Sequence, residues 1–317
     1  MSQKLAIDVG HGFVKGLNES GERILFPSLI APAKGIDLGP LSVAHLTTVQ
    51  WAGQNLMAYW VGEDARLQAT SLFGSNKASD PLTRDLTIIA VSRLKSVANS
   101  EEITFALGVG VPLAWYGRER AALQKALLGT VHVDDHIFHV SHVSVFPQGV
   151  AAILSALPAE TPRGLYGLVD VGYRTTDYLV VQVNENGLPT IVPGLAGSLE
   201  QGVHNALQEV AGVIEQQWKV SYAPHELANV STITVRGYEI TVAADIRQAY
   251  ERLGSGLVAK LQTAWAPILP RLRVLYVAGG GVGAMPRNVG GMPTHVVPDF
   301  QWANVKGYLS ALGPSIN

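Results

Sequence analysis

One segment of this chain occurs twice. Leu5-Ala6-Ile7-Asp8-Val9-Gly10-His11-Gly12-Phe13-Val14-Lys15 returns as Gly167-Leu168-Val169-Asp170-Val171-Gly172-Tyr173-Arg174-Thr175-Thr176-Asp177. In both copies an apolar run ends in Asp-Val-Gly, and a tight turn leads into a second run. The offset is 162 residues (170 − 8), about half of the 317-residue chain. Solenoid repeats have periods of roughly 20–50 residues, so an echo at this scale predicts two related α/β domains. Length alone points the same way at roughly 150 residues per domain. Pro158, Pro162 and Gly164 mark a division near residue 160.

The remaining elements arrange themselves around these strands. Ile103–Val111 reads as an apolar strand ended by Pro112, and Arg118–Leu128 as a helix with Ala122, Leu123, Ala126 and Leu127 on one side. Ser198 with Gln201 three residues later has the form of a capping box. The helix behind it carries Val203, Ala206, Leu207, Val210 and Ile214 at helical spacing. Thr232–Val235 and Glu239–Val242 flank Arg236-Gly237 as a hairpin. Asp245–Gln262 reads as a helix weakened by Gly254 and Gly256, and Val274–Ala278 as a strand running into Gly279-Gly280-Gly281. Residues 32–82, rich in turn formers, are expected to form an inserted subdomain, as are residues 210–245 in the second half.

Composition narrows the chemistry. There is no cysteine, which excludes disulfides, thiol nucleophiles, thiolate zinc sites and iron–sulfur clusters. Lys plus Arg number 23 and Asp plus Glu 25, a net charge of −2, so direct nucleic-acid binding is not expected. The most apolar stretches are broken by Asp170, Arg174 and Asp177, or by Pro147 and Gln148, and none reads as a membrane span. Met1-Ser2-Gln3-Lys4 leads straight into a strand pattern rather than an apolar signal core, and the expectation is a cytoplasmic protein without a membrane partner.

An Asp-x-Gly turn between two strands suits phosphate. Glycine allows close backbone approach, consecutive turn N–H groups make an anion-binding concavity, and the aspartate at the strand end can hold Mg²⁺ through the ion's water shell. Lys15 adds a point charge for phosphate oxygens. One such turn is weak evidence; two copies half a chain apart, joined by the Gly-rich strand end at 279–281, are much stronger.

On these residues the chain resembles the actin / heat-shock chaperone ATPase / sugar kinase superfamily, and within it the prokaryotic actin-like proteins of the ParM (StbA) type and their archaeal relatives. Ile7–Gly12 with Lys15 resembles the first phosphate motif, followed by Phe26-Pro27-Ser28, and Asp170–Asp177 the second. Trp60-Val61-Gly62-Glu63 and Gly110-Val111-Pro112-Leu113 are similar to further family segments. Pro147–Ala152 and Phe300–Tyr308 resemble the two connecting helices, and Val277–Gly281 the adenosine motif.

The resemblance implies two related actin-like (ribonuclease H-like) α/β domains facing across a nucleotide cleft. Domain I would span 1–160 and be completed by a C-terminal helix at 300–317; domain II would span 161–299. It implies ATP/ADP and Mg²⁺ as cofactors, with Asp8 and Asp170 orienting the metal's water shell. Gly10, His11, Gly12, Lys15, Gly172, Tyr173, Arg174, Thr175, Asp177, Gly202, Gly279, Gly280 and Gly281 would contact the nucleotide. Gln148 would orient the attacking water, and Asp170 would accept its proton, because a carboxamide is no base at neutral pH. His11 stands where eukaryotic actin has a small hydroxyl residue. Tyr173-Arg174 replaces a Gly-Gly or Gly-Thr pair, and Arg174 either touches phosphate or points to solvent. The implied function is an ATP-dependent filament, self-associating and acting in plasmid or DNA segregation through a DNA-binding adaptor protein. The alternatives are a small-molecule kinase of the same fold and a membrane-associated actin-like scaffold.

Two other patterns have plainer readings. His132, His136, His139 and His142 surround Asp134-Asp135 as the exposed face of a hairpin with a polar turn, which needs no metal. Gly279-x-Gly281-x-x-Ala284 with Asp299 matches a dinucleotide fingerprint, but Pro286 interrupts the helix that should follow.

Overall fold

The chain divides into two units, Met1–Ser155 with Asn304–Asn317, and Ala156–Ala303. The computed structural model describes residues 3–33, 45–68, 80–94 and 101–313. Each unit is built on a sheet whose central strand is one copy of the repeated segment.

In the first unit that strand is β1 (Gln3–Val9), buried along nearly its whole length. On one side it turns back into β2 (Phe13–Asn18) and β3 (Arg23–Pro27), both antiparallel. On the other it pairs in parallel with β7 (Glu102–Val111), and β7 pairs in parallel with β9 (His136–Pro147). A strand flanked on both sides and covered on both faces has no water-facing positions, which is why Leu5, Ala6 and Ile7 run on without alternation.

The sheet continues from β9 through β8 (Gly129–Val133) into β5 (Thr47–Trp51), β6 (Met57–Val61) and β4 (Ile30–Pro32). The segment expected as an insertion at 32–82 therefore contributes strands that extend the unit's own sheet; its residues 34–44 and 69–79 lie outside the described residues. β8 and β9 form the expected hairpin. Asp134, at φ 49°, makes the turn and accepts from Thr48 N at 2.7 Å, and His139 lies between Thr130 Oγ1 at 2.9 Å and Glu102 Oε1 at 2.7 Å.

Three helices precede the unit boundary: α1 (Pro81–Ser92), α2 (Tyr116–Leu127) and α3 (Val150–Ala156). α1 is capped by Asp80, which accepts from Leu82 N, and buries Leu86, Ile88, Ile89 and Val91 in the core. α2 packs through Leu123 and Leu127; Ala122, expected on that face, is exposed. Asp85 of α1 is fully buried and accepts from Trp51 Nε1 at 2.8 Å, Tyr59 Oη at 2.7 Å and Arg84 Nε at 3.0 Å. One carboxylate thus fastens β5 and β6 to the helix. Burial and the Asp85 carboxylate both push the Tyr59 hydroxyl above its usual pKa.

The second unit repeats the plan. Its central strand is β10 (Gly164–Val171), with β11 (Thr176–Val183) and β12 (Pro189–Ile191) antiparallel on one side. On the other side β16 (Leu272–Ala278) and β18 (Met292–Val296) are parallel. The order β3-β2-β1-β7-β9 is matched by β12-β11-β10-β16-β18, direction for direction. β13 (Gly197–Leu199) adds to β11, and β17 (Asn288–Val289) to β18.

α4 (Val203–Trp218) and the hairpin β14 (Thr232–Val235) and β15 (Tyr238–Thr241) enclose a separate apolar core with the start of α5 (Ala243–Trp265). The capping box expected at Ser198 and Gln201 is absent. Ser198 lies in β13, and the reciprocal pair forms one turn later, where Asn205 Oδ1 accepts from Gly202 N at 3.0 Å and Asn205 N donates to Gly202 O at 3.0 Å. α5 runs past the expected end at Gln262, and its added turn buries Trp265 with Leu257 and Leu261 against the sheet. The last helix, α6 (Ala303–Ala311), returns the chain to the first unit; residues 314–317, included in the expected C-terminal helix, lie outside the described residues.

The two glycines of α5 differ. A Cβ on Gly254 would lie 1.9 Å from Ala284 O, whereas one on Gly256 meets nothing within 4 Å. Urea unfolding should therefore show Gly256→Ala stabilising by about 0.5–1 kcal/mol through helix propensity. Gly254→Ala should destabilise by about 2 kcal/mol, since two backbones must separate. Asp85→Ala, which strands a buried indole N–H and a phenol, should cost about 2–4 kcal/mol in the same assay.

Candidate functional site

The carboxyl end of β1 brings three of the expected residues, Asp8, Lys15 and Gln148, together. Asp8 is 2% exposed. Its Oδ2 accepts from Lys15 Nζ at 3.0 Å and its Oδ1 from Gln148 Nε2 at 2.8 Å. Strand register produces the first contact: Asp8 and Lys15 are directly opposed in the β1–β2 ladder, so their side chains leave the sheet on the same face. Gln148 arrives from the end of β9, its N–H on Val111 O at 2.8 Å.

The turn between β1 and β2 closes with Gly10 N donating to Phe13 O at 3.1 Å. A Cβ on Gly10 would lie 3.0 Å from that oxygen and 3.5 Å from Lys15 Nζ, so glycine keeps the floor beside the lysine open. Gly12 O accepts from Ser28 N at 3.0 Å, tying the turn to the residue after β3. The His11 ring stands edge-on to Trp115, centroids 6.1 Å apart.

In the second unit the same turn recurs bond for bond. Asp170 opposes Asp177 as Asp8 opposes Lys15, and Gly172 N donates to Thr175 O at 2.9 Å as Gly10 N donates to Phe13 O. A Cβ on Gly172 would be 2.7 Å from Thr175 O. The loop is stitched to α4: Val203 N donates to Gly172 O at 3.1 Å and His204 N to Tyr173 O at 2.7 Å. The helix can come that close only because residue 202 is glycine, since a Cβ there would sit 2.6 Å from both carbonyls. Gly202, expected as a nucleotide contact, also makes this packing possible. Thr176 Oγ1 adds a bond to Gln201 O at 2.7 Å.

The third segment crosses beneath this loop. Gly279 has φ +85° and packs so closely that a Cβ would lie 2.3 Å from Asp170 Oδ1 and 2.4 Å from Val171 O. Gly281 N donates to Val171 O at 2.8 Å. Gly280, between them, has space for a side chain, its nearest neighbour being Gln301 Nε2 at 3.9 Å. Asp170, Gly279 and Gly281 are thus one contact group.

Two expected side chains are engaged in the fold. Tyr173 packs on the α4 core with its ring edge against His204 at 5.5 Å, and burial pushes its hydroxyl pKa up. Asp177 accepts from Ser198 Oγ in β13. Some residues of these surroundings left no sequence signal. Trp115 belongs to no motif, and Asn304, whose Oδ1 accepts from Gly149 N at 2.9 Å, lies in a helix recognisable only as a connector. Among the described residues no group of three or more His, Cys, Asp or Glu could hold a metal ion by itself.

Burial and the positive charges of Arg174 and His225 lower the His204 pKa from its ordinary 6.5. The unfolded chain therefore takes up this proton first as pH falls, so stability is full above about 6.5 and declines below it until His204 protonates in the folded state. His204→Phe, which keeps a ring against Tyr173, should flatten that part of the stability–pH curve. The difference should be read by urea unfolding at pH 5.5 and 7.5.

Comparison with known proteins places these loops in a family. Residues 6–150 match the model described as actin like proteins N terminal domain. Residues 168–290 match that of the archaeal actin homologue MreB-like C-terminal region. An archaeal actin homolog of Thermoplasma volcanium is 24% identical over 329 residues, covering 97% of this chain and 98% of that protein. Among solved structures, a 15-stranded ParM filament from Clostridium botulinum is similar with a TM-score of 0.81 and 23% identity, covering 98% of each chain. An archaeal actin homolog in complex with ADP is similar with a TM-score of 0.77 and 23% identity, covering 98% of this chain and 99% of that one. With its two actin-like halves in order and matched nearly end to end, the chain is a prokaryotic actin-like protein close to the archaeal members of that family.

Proposed function

We propose that this protein is an ATP-hydrolysing filament protein whose two Asp-Val-Gly loops serve the same nucleotide. The duplicated turn carries the reading: two hairpins 162 residues apart share ladder register, the closing Gly N–H bond and a buried aspartate at the same place. The similar chains solved as a filament and with ADP support it.

The residues suit Mg-ATP. Gly10 and Gly172 let the turns close tightly, since a Cβ would lie 3.0 Å from Phe13 O and 2.7 Å from Thr175 O, and tight turns of this kind present backbone N–H groups to an approaching phosphate. With no group of three or more His, Cys, Asp or Glu among the described residues to hold it, a Mg²⁺ near Asp8 and Asp170 would be held mainly by phosphate and water. When bound, that ion supplies charge neutralisation at the phosphate oxygens.

The chain's own residues do the remaining work. Lys15, held by Asp8, is a fixed positive charge for phosphate oxygens. The N–H groups of the two turns other than those of Gly10 and Gly172, which close them, donate to the same phosphate oxygens, with Arg174 beside them, and Gly279–Gly281 pass the sugar and base. Gln148 commits its Nε2 to Asp8, so the Oε1 end of the amide is the acceptor that orients the attacking water in line with the γ-phosphate. The proton goes to Asp170, since the carboxamide cannot take it. Filaments formed with ATP would move plasmid or other DNA in the cytoplasm. With a net charge of −2, the link to DNA would be an adaptor protein. No helix among the described residues is long and apolar enough to cross a membrane.

Light scattering after addition of Mg-ATP should rise and then decay as phosphate is released, while Mg-ADP should give no rise. Gln148→Ala should still scatter but release phosphate at least about 10-fold more slowly, so its filaments persist. Asp170→Ala should abolish hydrolysis. Hydrolysis stimulated by a small hydroxylated substrate with no scattering would favour the kinase reading. Absence of nucleotide binding would overturn both.

A further inference from the structure

The turn that carries Gln148 is gripped by one face of α6. Three residues at helical spacing, Asn304, Gly307 and Tyr308, each touch a different part of the Phe146–Ala151 segment. Tyr308 stacks on Phe146 with ring centroids 5.6 Å apart and planes at 9°. Gly307 lies so close to α3 that a Cβ would be 2.2 Å from Ala151 O. Asn304 Oδ1 accepts from Gly149 N at 2.9 Å.

That last bond falls on the peptide joining Gln148 to Gly149. Gly149 has φ +76°, a conformation that residues with side chains rarely adopt, so the chain swings sharply between the end of β9 and the first turn of α3. Gln148 is therefore anchored at its own N–H by Val111 O and at the following N–H by Asn304. Its side chain is then aimed at Asp8 Oδ1, 2.8 Å away. The Tyr308 and Gly307 contacts set the distance between helix and turn; only Asn304 makes a directional bond to the peptide that orients Gln148.

We propose that Asn304 is a positioning residue for hydrolysis, acting through Gln148: its side-chain carbonyl fixes the Gln148–Gly149 peptide and so the direction of the amide that orients water. The proposal rests on the role given to Gln148 above. It also ties that role to α6, the element by which the chain re-enters the first unit.

Steady-state ATP hydrolysis, compared at matched amounts of sedimented protein, tests it. Asn304→Ala should lower kcat about 10-fold with KM unchanged. Asn304→Asp, which retains an acceptor oxygen, should recover most of the rate. The Asn304→Ala/Gln148→Ala double variant should be no slower than Gln148→Ala alone, because both remove the same contribution. A full rate in Asn304→Ala, failure of Asn304→Asp to recover, or a double variant slower than Gln148→Ala by the whole Asn304→Ala factor would each overturn the proposal. Nitrogen-15 spectra of the nucleotide-free protein give a reading independent of catalysis. The Gln148 side-chain amide pair should move in Asn304→Ala and return in Asn304→Asp, and an unmoved pair would overturn the positioning role. If the wild-type protein hydrolyses no ATP, the proposed function fails and these spectra alone decide whether Asn304 orients Gln148.

Discussion

A carboxylate taken out of water at the end of a central strand must be neutralised and hydrogen-bonded, or it would destabilise the fold by several kcal/mol. Asp8 meets that requirement with Lys15 from its own hairpin and Gln148 from the end of β9. Much of the first unit's local geometry follows from this pairing. The lysine has to stand opposite the aspartate in the ladder, the turn between them has to be tight, and a side chain at Gly10 would crowd Phe13 O. The β9–α3 turn must deliver an amide to the other carboxylate oxygen, which in turn requires the chain reversal at Gly149.

The second unit uses the same register for a different charge pattern. Asp177 stands where Lys15 does, so the facing pair is two carboxylates, and Ser198 donates to one of them. The close contact of Gly279 with Asp170 has no counterpart described in the first unit. The two halves share a backbone solution, while the chemistry attached to it is divided between them.

The architecture was legible from the sequence to the extent that local pattern determines it. The Asp-Val-Gly turns, the buried runs of β7, β10 and β16 and the spacing in α4 are short-range signals, and each element lies where the pattern put it. What the sequence concealed is non-local. β5 and β6 join the first sheet because β8 offers an edge, and nothing within residues 47–61 names that partner. The capping pair at Gly202 and Asn205 lies one turn beyond the Ser198–Gln201 pattern because β13 claims Ser198 for the sheet. Among the candidate site residues, Asp8, Lys15 and Gln148 are joined by hydrogen bonds that no local pattern announces. Tyr173 turns its side chain into the neighbouring core, because alternation along a loop cannot be inferred as it can along a strand. Gly202 was legible as a candidate contact, but its packing role, a helix approaching a loop, is visible only once both are in place.

The first unit is discontinuous in the chain, and its last helix is no accessory. Tyr308 fills the slot left by Gly110, where a Cβ would overlap the tyrosine oxygen at 1.9 Å, so the face of β7 remains an open groove until residue 308 is present. The second unit, in contrast, is one uninterrupted stretch from Ala156 to Ala303. A fragment that stops at Ala303 would therefore carry the whole of the second unit but leave the Gly110 face of β7 uncovered.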